Sequence, residues 1–309
     1  MKVLSTLAVF SALLIGQSTV SAKTSFVKEE TKSLDQLYQD AINEGGKLVF
    51  YHGGDTADRQ NTLKNMFMTA FPNINLTMVV DYSKYQDDPN GAWFGYRIYS
   101  FTYVTSATVL GDLGVPVSPL EIVDPKYKGM IASSYPHDDD AALYIYASYV
   151  EKYGWEWAAK LATQQVSFNR GSFVAGQMTT QGQKGIGIAT GGSVAPAIAG
   201  KYPFLAWAQR VAILKKAKNV AAAKLMINWL ASESIQKTLA SAGWSIRKDI
   251  PTTNGFSQVW DIPEAGVAKF AEFMEDRERV EIWKQTFALY YGEVQGEPTP
   301  GSQGLHPGL

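Results

Sequence analysis

The stretch from residue 48 to residue 67 constrains the fold of this chain most strongly. Residues 48–51 are all apolar, which predicts a strand buried on both faces of a parallel sheet. The next residues, 52–56, include adjacent glycines that permit close backbone approach, and Asp55 or Thr56 is expected to cap a following helix. In open α/β sheets, loops beyond the carboxyl end of a strand bind ligands. An ordinary strand-to-helix turn is the alternative.

The remaining chain repeats this alternation of strands and helices. Apolar runs predict further strands over residues 74–80, 96–107, 130–132, 166–168 and 186–189. Helical periodicity predicts helices over residues 34–44, 141–152, 155–161, 220–240 with a break at 232–234, and 263–287. The helix after the first strand is expected to carry Leu63, Met66, Phe67 and Phe71 on one side. The first two strands and the helix between them predict a right-handed parallel βαβ unit.

Composition excludes several classes of protein. The chain has 309 residues, which allows one large domain or two lobes. Its 28 Lys and Arg nearly balance its 29 Asp and Glu, and the absence of a basic run argues against nucleic acid or an anionic membrane as a partner. Cysteine is absent, which excludes disulfides, thiolate nucleophiles and cysteine metal sites.

The N-terminus predicts export. Lys2 precedes an apolar segment over residues 3–15, and residues 20–22 offer a small-residue cleavage site, so residues 1–22 are interpreted as a secretory signal peptide. The apolar segment is too short for a membrane span. We therefore expect a secreted, soluble protein, periplasmic if its source is bacterial. Asn75 lies in a glycosylation sequon, and whether it is glycosylated stays open.

A serine hydrolase is the enzymatic alternative. Residues 191–195 nearly match a nucleophile elbow around Ser193, but the last position is alanine where the motif has glycine. The order serine, acid, histidine leaves only His306, in a tail rich in glycine and proline, as the base. The pattern therefore gives this hydrolase weak support.

Several segments together resemble a known family. They are residues 34–72, the turn at 124–129, the segments 135–141 and 153–157, the helix 221–232 and the segment 291–296. They are similar to the type II periplasmic binding protein superfamily, and within it to the ferric-iron and related substrate-binding proteins of ABC importers, closest to secreted fungal relatives. The similarity covers most of the chain after residue 22, and no single motif decides it.

The resemblance implies a two-lobed α/β fold that closes on a small ligand in a cleft between the lobes. The first lobe would comprise residues 34–107 and 205–290, the second would comprise residues 125–200, and residues 292–309 would form an irregular tail. The glycine loops at 52–56 and 190–193 would face each other across the cleft. The implied ligand-binding residues are His52, Gly53, Gly54, Asp55, Thr56, Tyr135, Asp138, Arg170, Ser172, Gly191, Gly192 and Ser193.

The same resemblance raises the question of iron. Ferric-binding relatives hold iron with paired tyrosines and nearby histidine or carboxylate groups, so Tyr290, Tyr291 and His137 are weak candidate ligands for iron as cargo. Neighbouring side chains on a helix point about 100° apart, so core packing is the competing explanation for the tyrosine pair. No resident cofactor is expected.

The chain also departs from the family. Relatives carry several dozen residues between the segments that match 81–85 and 88–93, whereas here these segments nearly touch. We interpret this as an internal deletion after Tyr85 that leaves the first lobe incomplete. The prediction is a secreted, monomeric, non-enzymatic protein that binds an anionic or metal-complexed solute, with an ABC permease as partner only in a bacterium. A serine hydrolase and a non-binding remnant of the fold are the alternatives.

Overall fold

The computed structural model describes residues 30–53, 58–80, 93–240 and 243–296. The predicted signal peptide, the predicted site residues Gly54, Asp55 and Thr56, the candidate base His306 and the segment of the proposed deletion lie outside the described residues. Everything below concerns the unit that begins at Lys32.

Helices and strands alternate along the chain, as the sequence predicts. The strands are β1 (Lys47–His52), β2 (Asn75–Val80), β3 (Trp93–Thr105), β4 (Ile131–Ser134), β5 (Ser167–Asn169), β6 (Ile186–Gly191) and β7 (Leu205–Ala212). The α-helices are α1 (Leu34–Asn43), α2 (Asn61–Ala70), α3 (Ala107–Leu110), α4 (Asp140–Tyr153), α5 (Trp155–Ala162), α6 (Ser172–Thr180), α7 (Ala195–Gly200), α8 (Val220–Ala231), α9 (Glu233–Leu239), α10 (Val267–Glu275) and α11 (Arg277–Tyr291). Short 3-10 helices cover Gly111–Leu113, Glu121–Val123, Pro125–Tyr127, Thr253–Gly255, Val259–Asp261 and Pro263–Ala265.

A first hydrophobic core surrounds β1 and β2, which pair in parallel with Lys47 opposite Asn75. Helices α1, α2 and α8 supply most of its buried side chains, and Trp229 of α8 meets Phe67 of α2 edge to face at 5.2 Å. Helix α1 starts at a capping box, in which Ser33 and Gln36 exchange side-chain to backbone hydrogen bonds. This core confirms the predicted parallel βαβ unit.

A second core surrounds a five-stranded sheet with the order β5-β4-β6-β3-β7. Strands β4, β5 and β6 are parallel to one another, and β3 runs antiparallel to β6 and β7. Helices α4, α5, α10 and α11 contribute buried residues to this core. The C-terminal helices therefore pack beside residues of the predicted second lobe. The predicted lobe boundaries stay a prediction.

Strand β3 joins the two cores. Near its start Tyr96 is buried in the first core, and further along Ile98 and Phe101 are buried in the second. The ladder between β3 and β7 shifts register between Gly95 and Arg97, so one extra residue is inserted in β3 there.

Two sequence predictions about helix boundaries are wrong. Helix α2 begins at Asn61, and its N-cap position is held by Gln60 without a capping side chain, because residues 58–60 form a turn first. Asp55 and Thr56 lie too far upstream to cap it. The predicted helix 263–287 is divided at Gly266, which adopts a left-handed φ of 62°, and at Asp276, whose carboxylate accepts a hydrogen bond from the backbone of Arg279. None of the helices that the described residues form could cross a membrane.

Candidate functional site

The carboxyl ends of the parallel strands β4, β5 and β6 meet at one edge of the second sheet, and helix α6 begins beside them. This edge is where ligands approach open α/β sheets. The described site residues predicted for this part of the chain follow these three strands: Tyr135, Asp138, Arg170, Ser172, Gly191, Gly192 and Ser193. These residues therefore lie along one edge of the sheet. Their side chains differ in the contacts that they make, which are an ion pair at Asp138 and Arg170 and close packing at the end of β6.

Asp138 and Arg170 form a nearly buried ion pair. The guanidinium donates from Nε to Oδ2 at 2.9 Å and from Nη2 to Oδ1 at 2.6 Å, a bidentate arrangement. The exposed fractions of the side chains are only 8% for Asp138 and 14% for Arg170. The pair links the turn after β4 to the end of β5. The predicted counter-charge Arg170 is therefore already engaged by a carboxylate of the protein.

His137 holds the segment that follows α11. Its Nε2 lies 2.9 Å from the carbonyl oxygen of Gly292, so Nε2 carries the proton and donates. Its Nδ1 is buried and accepts no hydrogen bond from the described residues. Burial lowers the pKa of His137 despite the nearby carboxylates of Asp138 and Glu293, which raise it. The histidine thus acts as a neutral anchor for the C-terminal segment.

The residues at the end of β6, Gly192 and Ser193, show close backbone packing and no catalytic arrangement with other described residues. A β-carbon on Gly192 would lie 2.0 Å from Cγ1 of Val104, so only glycine fits at this position. The exposed Ser193 accepts a 3.4 Å hydrogen bond from the backbone N–H of Ala195. Within the described residues, neither His52 nor His137 forms a hydrogen bond to Ser193. The described part of the chain gives Ser193 no base.

His52 ends β1 and is buried, with 4% of its surface exposed. Its Nδ1 lies 2.8 Å from the carbonyl oxygen of Gly53, which requires the proton on Nδ1. Its Nε2 is also buried and has no hydrogen-bond partner in the described structure. A buried acceptor of this kind costs free energy unless something donates to it.

A pocket of about 450 Å³ lies between the two cores. The start of α2 and the turn before it form one wall, the first half of β3 forms another, and Phe173 of α6 closes a third side. The residues that line it are Asp58, Arg59, Gln60, Thr62, Leu63, Met66, Tyr96, Arg97, Tyr99, Phe173 and Leu239. None of the described residues that the sequence predicts for the ligand site lines this pocket.

Two arginines give this pocket its chemistry. The guanidinium of Arg59 lies over the ring of Phe173, 4.0 Å from its centroid, and that of Arg97 lies over Tyr99 at 4.8 Å. A guanidinium held face-on against a ring keeps its N–H groups free at its edge. Neither arginine forms an ion pair with a carboxylate of the described residues, and Nε of Arg97 is buried there without an acceptor. The pocket therefore presents two guanidiniums beside the carboxylate of Asp58, and one buried donor, Nε of Arg97, has no acceptor among the described residues.

Sequence reasoning missed both arginines. Arg97 is the only charged residue in β3, and a charge inside an otherwise uncharged strand is a signal that could have identified it. Arg59 offers no comparable signal, because its aromatic partner is contributed by the distant helix α6.

The candidate iron ligands Tyr290 and Tyr291 pack within an aromatic cluster. Tyr290 stacks on Trp155 at 5.4 Å, and Tyr291 contacts Phe168 at 4.9 Å. Burial raises the pKa of Tyr291, which disfavours the tyrosinate that ferric iron requires. The described residues contain no group of three or more histidine or carboxylate side chains placed to hold a metal ion.

A family model described as bacterial extracellular solute-binding protein matches residues 55–257. The chain belongs to this family. The matched range contains every residue that lines the pocket. A comparison with curated protein sequences finds no match.

Solved structures of solute-binding proteins share the fold. The substrate-binding protein of an ABC transporter from Agrobacterium tumefaciens aligns with a TM-score of 0.61 and 12% identity, over 81% of this chain and 96% of that one. Apo ferric ion-binding protein A from Pasteurella haemolytica aligns with a TM-score of 0.52 and 14% identity, over 82% and 100% of the two chains. The periplasmic binding protein AfuA from Actinobacillus pleuropneumoniae, with fructose-6-phosphate bound, gives 0.51 and 14%, over 80% and 99%. These matches confirm the predicted type II binding-protein fold of this solute-binding protein.

Proposed function

We propose that this solute-binding protein holds a small anionic ligand in the pocket between its two cores, with Arg59 and Arg97 as the counter-charges. The observation that carries the proposal is the pair of guanidiniums, each laid against an aromatic ring in the same pocket. Their edges offer charge-assisted hydrogen bonds to phosphate or carboxylate oxygens.

The size of the pocket supports a small molecule as ligand. Its volume of about 450 Å³ lies within the range of roughly 300–1,000 Å³ that is typical of ligand pockets. The surrounding Tyr96, Tyr99 and Phe173 supply the apolar and aromatic lining that such pockets usually have. A second concavity of about 500 Å³, between α2 and the helices α8 and α9, has no charged residue among its described lining, so it offers nothing to an anion.

The placement of the pocket supports binding by closure. Arg59 belongs to the wall formed by the first core, whereas Phe173 belongs to α6, which packs on the second sheet. Strand β3 connects the two sides and is the natural hinge. An anion that touches both sides favours the closed state, because it makes more contacts there than in an open state.

Export is part of the same proposal. The family is extracellular by its description, and the N-terminal sequence has the pattern of a signal peptide. We propose a monomeric, non-enzymatic protein that acts outside the cytoplasm and delivers its ligand to an ABC permease if its source is bacterial.

The alternatives receive less support. Ferric iron held by Tyr290 and Tyr291 conflicts with their aromatic packing, although an anionic iron complex would still fit an arginine pocket. A hydrolase based on Ser193 lacks a base in the described residues. A remnant that binds nothing does not account for the buried Nε of Arg97, which has no acceptor among the described residues.

Isothermal titration calorimetry with four probes tests the proposal: inorganic phosphate, phenyl phosphate, succinate and ferric citrate. At least one should bind the wild-type chain, and R59M and R97M should each weaken that binding by about ten-fold or more, because a charge-assisted hydrogen bond contributes about 1.5–3 kcal/mol. R277M is the matched control, since Arg277 is exposed and pairs with Glu281 on α11. Binding that is unchanged in R59M and R97M would exclude the pocket.

A further inference from the structure

The register shift in β3 has a consequence for the direction of Arg97. On β7, Gln209 and Arg210 are neighbours, but their partners on β3 are Arg97 and Gly95, so Tyr96 is the inserted residue of a β-bulge. In a regular strand, neighbouring side chains point to opposite faces. Here Tyr96 and Arg97 both line the pocket. The bulge thus allows Tyr96 and Arg97 to face the same side of the strand.

The side chain of Gln236 holds this bulge. Gln236 lies in α9 and is completely buried. Its Nε2 donates to the carbonyl of Tyr96 at 2.6 Å and to the carbonyl of Leu230 at 2.7 Å. Its Oε1 accepts from Oγ of Ser245 at 2.9 Å and from the backbone N–H of Ile246 at 3.3 Å. The amide therefore uses both donors and both acceptor sites, and its orientation is fixed.

We infer that Gln236 is a positioning residue for the ligand site, because it fixes the bulge at Tyr96 and thereby directs Arg97 into the pocket. The inference deepens the proposed function, since it rests on Arg97 as a ligand contact. Gln236 itself does not line the pocket. It acts through the peptide group between Tyr96 and Arg97, whose carbonyl it binds.

The bulge explains why the carbonyl of Tyr96 needs a hydrogen bond from a side chain. An inserted residue disrupts the ladder of its strand, so its backbone groups need partners from outside the sheet. A buried carbonyl without a donor is costly. Without the amide of Gln236, the carbonyl of Tyr96 needs another donor, so the backbone at the bulge rearranges and Arg97 loses its fixed direction. Because β3 passes from the first core to the second just beyond this point, Gln236 also stiffens the connection between them.

The test uses Q236M, which keeps the length of the side chain and removes its hydrogen bonds. Q164M is the matched control, because Gln164 is also buried, with 2% exposed, its Nε2 donates to the carbonyl of Val123 at 3.0 Å, and neither residue lines the pocket. Both variants should lower the midpoint of thermal unfolding. Only Q236M should weaken the binding of those anion probes that bind the wild-type chain, by about ten-fold, because only it releases Arg97. If Q236M does not fold, S245A replaces it, since it removes one of the bonds that orient the amide.

A crystal structure of Q236M, or of S245A in its place, gives a readout that does not depend on a ligand. The expected result is a changed register at Gly95 and a guanidinium of Arg97 that has left the pocket. The inference would be overturned if Arg97 kept its original position in the variant. It would also be overturned if folded Q236M bound anions as tightly as the wild type does. If the wild-type chain bound none of the probes, the result would count against the proposed function. The role of Gln236 would then be decided only by the crystal structure of the variant.

Discussion

The ion pair between Asp138 and Arg170 gives the sharpest prediction about a residue that the sequence places in the ligand site. The substitution D138N keeps the shape of the side chain and removes its charge, which leaves a guanidinium that is only 14% exposed without its counter-ion. Breaking a buried pair by removing one partner costs about 3–5 kcal/mol of unfolding free energy. We therefore expect D138N to lose about 3–5 kcal/mol, whereas the double variant D138L/R170M should lose far less.

Urea denaturation followed by tryptophan fluorescence measures this loss. The control is E156Q, which breaks the pair of Glu156 with Lys160 on α5, where the side chains are 77% and 55% exposed. That substitution should leave the midpoint of urea denaturation nearly unchanged, because exposed ion pairs contribute little to stability. The reasoning would be refuted if D138N cost less than about 1 kcal/mol and at the same time weakened anion binding. Asp138 and Arg170 would then contact the ligand, as the sequence predicts.

Two further predictions concern β1 and the C-terminal anchor. L48A should cost about 2–5 kcal/mol and V49T less than about 0.5 kcal/mol by urea denaturation, because Leu48 is 5% exposed and Val49 is 47% exposed. Equal costs would mean that both faces of the strand are covered. The folded state lowers the pKa of His137 below its usual 6.5, so the unfolded chain binds a proton first and stability falls as the pH drops below about 6.5. H137Q should remove that part of the loss between pH 7 and pH 5, and an identical pH profile of the variant would contradict the assignment.

The sequence predicts the first core well. Strand β1, strand β2 and the helix between them follow from an apolar run, a second apolar run and helical periodicity, all of which are local patterns. The division between α8 and α9 at Ser232 follows from local sequence in the same way and is confirmed. The start of α2 was wrong because a turn, which leaves no strong sequence signal, precedes it.

The pocket could not be predicted at residue level because its chemistry is tertiary. Arg59 acquires its position from Phe173 of α6, which is distant in the sequence, and Arg97 from a bulge whose carbonyl is bound by Gln236. Sequence reasoning instead selected loop residues at the ends of β4, β5 and β6, where Asp138 and Arg170 bind each other. The strand ends were located correctly as elements, while their role in binding stays a prediction.

The predicted incompleteness of the first lobe stays a prediction as well. In the described part of the chain, β1 and β2 form a sheet of two strands, which is small for a parallel sheet that usually has both faces covered. Val49 in the middle of β1 is 47% exposed, so the prediction that this strand is buried on both faces is wrong. The sheet nevertheless supports the wall of the pocket, because α2 packs on its other face with Leu63 and Phe67 buried.

The measurement that tests the central claim most directly is a crystal structure of the chain with the anion that binds most tightly in the calorimetric screen. The account predicts density for the anion between the two cores, with its oxygens within hydrogen-bond distance of the guanidiniums of both Arg59 and Arg97. An anion bound at Arg170, or at the end of β6 near Ser193, with the arginine pocket empty, would contradict it.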